Sequence, residues 1–124
     1  MRWLVIGNNL AASVSAAVVR HGHSAVSPAE AEMPEPTDPA DVLAFAHQKQ
    51  LDVLTDRDDL VEAAFKDGAP RFVRTLVYLQ LAGGEVEQDD AVDRLFARYA
   101  RMSTGRLYTV TETRVKVRQL PARY

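Results

Sequence analysis

The sequence predicts a single α/β domain in which helices cover both faces of a mainly parallel sheet, a three-layer α/β/α sandwich closed by an antiparallel hairpin. Three observations predict it. Short apolar runs alternate with segments of helical periodicity through residue 80, a pattern that calls for parallel strands joined by right-handed crossovers. Residues 106–110 and 114–120 instead alternate apolar with polar positions around Thr111, Glu112 and Thr113, as a β-hairpin does. A length of 124 residues suits one hydrophobic core and not two, so residues 1–124 are read as one domain.

Taken in order, residues 3–6 form an apolar first strand that stops at Gly7, Asn8 and Asn9. Its uninterrupted apolar character predicts burial on both faces, with Leu4 and Ile6 nearly inaccessible. Residues 10–20 follow as a helix with Leu10, Val14, Ala17 and Val18 on one face, and His21-Gly22 stops it. A weaker strand spans 23–27, and 28–36 is a loop in which Pro28, Pro34 and Pro36 interleave with Glu30, Glu32 and Glu35. Thr37 or Asp38 caps the next helix, Pro39 takes its first position, and Val42, Leu43, Phe45 and Ala46 form its apolar face. A third strand at 51–54 leads into a helix over 58–65, which Asp67, Gly68, Ala69 and Pro70 end. The fourth strand, 75–79, is bounded by Gly83-Gly84. The helix over 87–101 places Val92, Leu95, Phe96 and Tyr99 on one face, with acids at its start and arginines at its end.

Composition narrows the function. Hydrophobic content of 47% and charged content of 26% are ordinary for a globular chain and indicate neither a disordered nor a membrane protein. No apolar run approaches the ~20 residues of a membrane span, and the opening MRWLVIGNNL lacks a signal peptide's apolar region and cleavage site. A cytoplasmic protein without a membrane partner is the expectation. The absence of Cys excludes disulfides, zinc-thiolate sites and thiol nucleophiles. Charge is unevenly placed: residues 94–124 hold Arg94, Arg98, Arg101, Arg106, Arg114, Lys116, Arg118 and Arg123 against Glu112, a balance of +7 that leaves the remainder at -9. An acidic cluster and a basic end could hold a metal and phosphates respectively, so RNA is the candidate partner of the basic end. Alternatively, the cations form the solvated face of an ordinary exposed strand.

The chemistry centres on TDRDDL, residues 55–60, where the third strand leaves the sheet. Ligands of such sheets collect outside the carboxyl ends of the strands, and there Asp56, Asp58 and Asp59 could converge on a hard divalent cation. The competing reading is that Asp56 or Asp58 caps the following helix. Neither G-x-G-x-x-G nor G-x-x-x-x-G-K-[ST] is present, so nucleotide-binding motifs fail, and no serine sits in G-x-S-x-G. His21, His23 and His47 are read as helix-end or turn residues ahead of metal ligands.

The strings WLVIGNNL, RHGHSAV, TDPADVLAFA, LDVLTDRDDL and GRLYTVTETRVKVRQLP, in this order over nearly the whole chain, resemble the small stand-alone PIN-like domains, relatives of the VapC-type toxin ribonucleases. The resemblance implies a PIN-like three-layer sandwich whose clustered acids bind Mg²⁺ or Mn²⁺ and activate water to cut RNA, in a toxin–antitoxin setting with a cognate partner protein. Its catalytic acids map to Asp38, Asp56 and Asp59, and its metal ligands to Asp38, Asp56, Asp58, Asp59 and Asn8. Asp41 is an adjacent candidate beside Asp38. The family's strand-one aspartate falls on Ile6, or on Gly7 in a register slipped by one, with Asn8 or Asn9 matching its asparagine. Arg57 stands where the first Asp of the third-strand motif belongs, and Asp56 or Asp58 could substitute only in a shifted turn. Both departures remove carboxylates that two-metal hydrolysis requires. Three readings follow: a metal-dependent ribonuclease with an incomplete carboxylate site, a catalytically degenerate RNA-binding or protein-interaction module, and a homo-oligomeric structural subunit without nucleic acid.

Overall fold

The computed structural model describes residues 1–35 and 38–121. The expected cap at Thr37, the loop end at Pro36 and the cation Arg123 lie outside the described residues. The elements run β1 (Arg2–Val5), α1 (Ala12–Arg20), β2 (Ser24–Val26), α2 (Pro39–Gln48), β3 (Asp52–Thr55), α3 (Asp58–Phe65), β4 (Leu76–Leu79), α4 (Glu85–Arg98), β5 (Arg106–Val110) and β6 (Val115–Gln119). Among the described residues, all six strands lie in one sheet of order β2-β1-β3-β4-β5-β6, parallel as far as β5, with β6 antiparallel at the edge.

Strand alternation divides the core between the two faces. Trp3, Leu54, Val77 and Tyr108 face α1 and α4, whereas Leu4, Val53, Leu76 and Leu107 face α2 and α3. The first strand is thus buried on both sides, with Leu4 at 0% and Ile6 at 8% exposure, as its apolar run predicts. Among the described residues no helix is long and apolar enough to cross a membrane.

The position of α4 departs from uniform right-handed crossovers. The steps from β3 to β4 and from β4 to β5 both move one strand toward β6, yet α3 and α4 lie on opposite faces. These two connections therefore have opposite hands. The physical reason lies in the stripe Val92, Leu95 and Phe96, which covers apolar positions of β3, β4 and β5 on the face where, among the described residues, α1 is the only other helix. Burial of that surface outweighs the usual preference of the crossover.

Two helix starts shift from their sequence expectation for identifiable reasons. The N-terminal turn of α1 begins at Ala12 and not Leu10, because the main chain of Asn9 and Ala11 is held by the Gln88 side chain. In contrast, α4 begins at Glu85, two residues early: the Glu87 carboxylate accepts the Gly84 N–H at 2.9 Å and satisfies a free amide of the first turn. The same helix ends at Arg98, where Tyr99 leaves helical geometry and packs edge-on against Tyr108 with centroids 5.2 Å apart. His21-Gly22 does stop α1, with Gly22 in the left-handed region at φ +85°.

Candidate functional site at the carboxyl ends of the strands

The β1–α1 loop, the β3–α3 turn and the start of α4 meet above the sheet. Asp56 reaches back to the first of these: its Oδ1 accepts the Asn8 N–H at 2.8 Å and its Oδ2 the Asn9 N–H at 2.9 Å. Charge-assisted bonds to successive amides make a carboxylate an internal anion for the loop. Gly7 makes room for it, since a Cβ there would lie 2.2 Å from Asp56 Oδ1 and 2.7 Å from Leu10 Cγ. From the opposite side Gln88, 6% exposed, accepts the Ala11 N–H and donates to the Asn9 carbonyl, both at 2.8 Å. The loop is therefore clamped by β3 and α4 together. Beside the clamp opens a cavity of about 380 Å³ lined by Asn9, Asp56, Tyr78, Gln80, Gly83 and Gln88 among others.

The rest of the acidic motif turns elsewhere. Arg57 donates through Nε to Asp59 Oδ1 at 3.0 Å and through Nη2 to Asp59 Oδ2 at 2.7 Å. This two-point pairing holds the Asp59 carboxyl below its ordinary range. The capping expectation is corrected: Arg57 occupies the N-cap of α3, no side chain caps that helix, and Asp58 and Asp59 sit in its first turn. They act there through the helix dipole. Asp58 is exposed. Burial, followed by the charges of Asp58, Asp56 and Glu62, raises the pKa of the Tyr78 hydroxyl.

Asp38 is the N-cap of α2, without a side-chain capping bond. It lines a second cavity, of about 510 Å³, together with Asp59, Glu62 and Asp67. The structure thus brings Asp38 and Asp59 to one cavity and Asp56 to another. Asn8 contributes its main-chain N–H to the clamp. Mg²⁺ or Mn²⁺, which the PIN-like resemblance implies, would need these acids to turn toward one ion. As disposed they do not converge on one ion: Asp56 lies at one cavity and accepts the loop amides, while Asp38 and Asp59 lie at the other and Asp59 is paired with Arg57. Arg57 pairs with Asp59 and not with Asp38. Gln88 and Tyr78 belong to the site without being marked by any local sequence motif. A glutamine on a polar helix carries no local signal that it will reach a loop 77 residues away, whereas Tyr78 was legible only as part of a strand.

The three histidines are engaged as helix-end and packing groups. His21 Nε2 lies 2.8 Å from Asp93 Oδ1, and His47 Nδ1 accepts the Val73 N–H at 3.4 Å. His23 packs on Phe96 with centroids 4.6 Å apart. Burial first, then the charges of the N-terminus and His21, lower the His23 pKa against the opposing effect of Asp52.

Acid therefore destabilises the domain in two stages. The unfolded chain binds more protons at His23 below its ordinary value of 6.5, so stability falls as pH drops through that value. Asp93, whose pKa is lowered by His21 and then Arg20, and Asp59, lowered by Arg57, contribute stability that is present above 3.8 and lost as pH falls through their depressed folded values. Urea midpoints measured down from about pH 7.5 decline first near the histidine value, and His23→Phe removes that first step. A midpoint flat from neutrality to the carboxylate range contradicts the assignment.

Comparison with protein-family models, curated proteins and solved structures gives no match. The fold and the clamped loop define the class: a three-layer α/β/α domain whose β1–α1 loop is held by an internal carboxylate.

Proposed function

We propose that the chain is a PIN-like domain that has given up metal-dependent catalysis and serves as a binding module, with the cationic edge of its sheet as the contact surface. One observation carries the reading: the acids that would hold an ion serve as structural anions, Asp56 for the loop amides and Asp59 for Arg57. Ile6, 8% exposed within the α2/α3 core, supplies no charge at the strand-one position. A guanidinium held in the acidic turn also offsets negative charge where a divalent ion would need it. The contact surface follows from β6, whose Lys116 and Arg118 are exposed beside an exposed Arg114.

The test is RNA cleavage by the purified chain in Mn²⁺ with calorimetry of Mn²⁺ binding. The expected outcome is no cleavage above that of buffer and no resolved heat of binding. Turnover abolished both by chelator and by Asp59→Asn overturns the proposal in favour of a metal-dependent ribonuclease. A specific observation favours that second reading, since Asp38 and Asp59 line one cavity with Glu62. It requires Arg57 to release Asp59, so Arg57→Ala would raise Mn²⁺ affinity under it and leave affinity unchanged under the first.

A further inference from the structure

The free edge of β6 has a built polarity. In the antiparallel β5–β6 pair the Thr111 N–H donates to the Arg114 carbonyl and the Leu120 N–H to the Gly105 carbonyl. Paired positions alternate between hydrogen-bonded and non-hydrogen-bonded, so Lys116 and Arg118, opposite Thr109 and Leu107, direct their main chain toward β5. Val115, Val117 and Gln119 consequently direct theirs to the open side, which no strand pairs among the described residues. Side chains alternate as well. Lys116 and Arg118 share the face of Leu107, over which α2 and α3 lie, and Val115 and Val117 share that of Tyr108 and Val110.

The edge is also rigidly presented. Arg94 Nη2 donates to the Thr111 carbonyl at 2.8 Å, and Glu112 accepts the Ala82 N–H at 2.7 Å, which tie the hairpin turn to the body. The Arg118 guanidinium lies 4.1 Å over the Phe65 ring, while among the described residues Arg114 and Lys116 form no ion pair. Val117 keeps 40% of its surface exposed.

From these features we infer that β6 docks an extended acidic segment of a partner protein as a seventh strand, the partner placing acids opposite Lys116 and Arg118 and apolar residues beside Val117. The inference rests on the binding-module reading and names its partner. Main-chain pairing supplies affinity, and the alternate side chains supply selectivity. A second copy of this chain is a poor occupant, because antiparallel β6 pairing would set cations against cations. A nucleic acid is poorer than a peptide, because it can neutralise the cations but offers no repeating donors and acceptors in register with Val115, Val117 and Gln119.

The probe is a fluorescein-labelled peptide alternating Glu with Val, at least as long as β6, titrated into the full chain by anisotropy. Comparators are the same peptide with Pro in place of each Val, and oligouridylate. Expected results are saturable binding of the alternating peptide and slowed hydrogen exchange at Val115, Val117 and Gln119. Lys116→Glu, exposed and outside any ion pair among the described residues, weakens binding without moving the urea midpoint; adding Arg118→Glu, which also removes the contact with Phe65, brings the loss to about tenfold or more. Equal binding of the Pro peptide, tighter binding of oligouridylate, a concentration-dependent dimer through β6, or no binding at all each overturns the inference. Mn²⁺-dependent RNA cleavage would instead overturn the binding-module reading, whatever the peptide does, so the two failures are distinguishable.

Discussion

Truncating Phe96 to Ala lowers the unfolding free energy by about 3–5 kcal/mol, the range for losing a fully buried aromatic side chain. Phe96 is 3% exposed and its ring meets Trp3 at 5.9 Å, His23 at 4.6 Å and His21 at 5.5 Å between centroids. These neighbours belong to β1, the end of α1 and the segment leading into β2, so no single movement can close the space that truncation leaves. The cost sits toward the upper part of the range when surrounding groups cannot collapse. Denaturant titration measures it directly. Val19→Ala on the exposed side of α1, at 58% exposure, should stay within about 0.5 kcal/mol of the parent. A Phe96→Ala loss below about 1 kcal/mol would mean that the α4 stripe does not pack as the fold requires.

Much of this fold was legible because its signals are local. The bounds of α3 and β5 follow from the spacing of Leu60, Val61 and Ala64 and from the alternation around Tyr108, and they coincide with the structure. Buried β1 follows from an apolar run that needs no partner to be recognised. The start of α1 and the face on which α4 lies depend on contacts between distant segments. Gln88 meets Asn9 across 79 residues, and nothing near either residue announces the meeting. The acidic motif divides in the same way. That Asp56 stands at a strand end could be read from the sequence, but its use could not: an acid there can hold a cation or the amides of a neighbouring loop, and the choice is made by Gly7, Asn8 and Asn9, nearly 50 positions away. The Arg57–Asp59 pair, two residues apart, is within reach of local reasoning, but the resemblance marks Arg57 only as a cation standing where an acid belongs.

Asp56→Ala carries the second-largest expected effect, a loss of about 2–3 kcal/mol. Hydrogen bonds to a charged group contribute about 1.5–3 kcal/mol each, and the carboxylate makes two, to the Asn8 and Asn9 amides. The total falls at or just below the bottom of their sum of about 3–6 kcal/mol, because both amides lie near solvent and water replaces part of what is lost. Asp56→Asn should recover little, since an amide side chain offers one acceptor oxygen and turns an N–H₂ toward the second amide. Gly7→Ala tests the same clamp from the other side. Its Cβ would press on Asp56 and on Leu10, at a cost of about 1–3 kcal/mol for overpacking. In the Asp56→Ala background that cost shrinks without vanishing, because the Leu10 side chain still stands 2.7–2.8 Å from the new methyl, so the double-mutant cycle should show coupling. Mn²⁺ separates a clamp from a metal ligand. Under the structural role, Mn²⁺ leaves the midpoints of the parent and Asp56→Ala unshifted; a parent stabilised by Mn²⁺ only while Asp56 is present would assign that carboxylate to an ion and not to the loop.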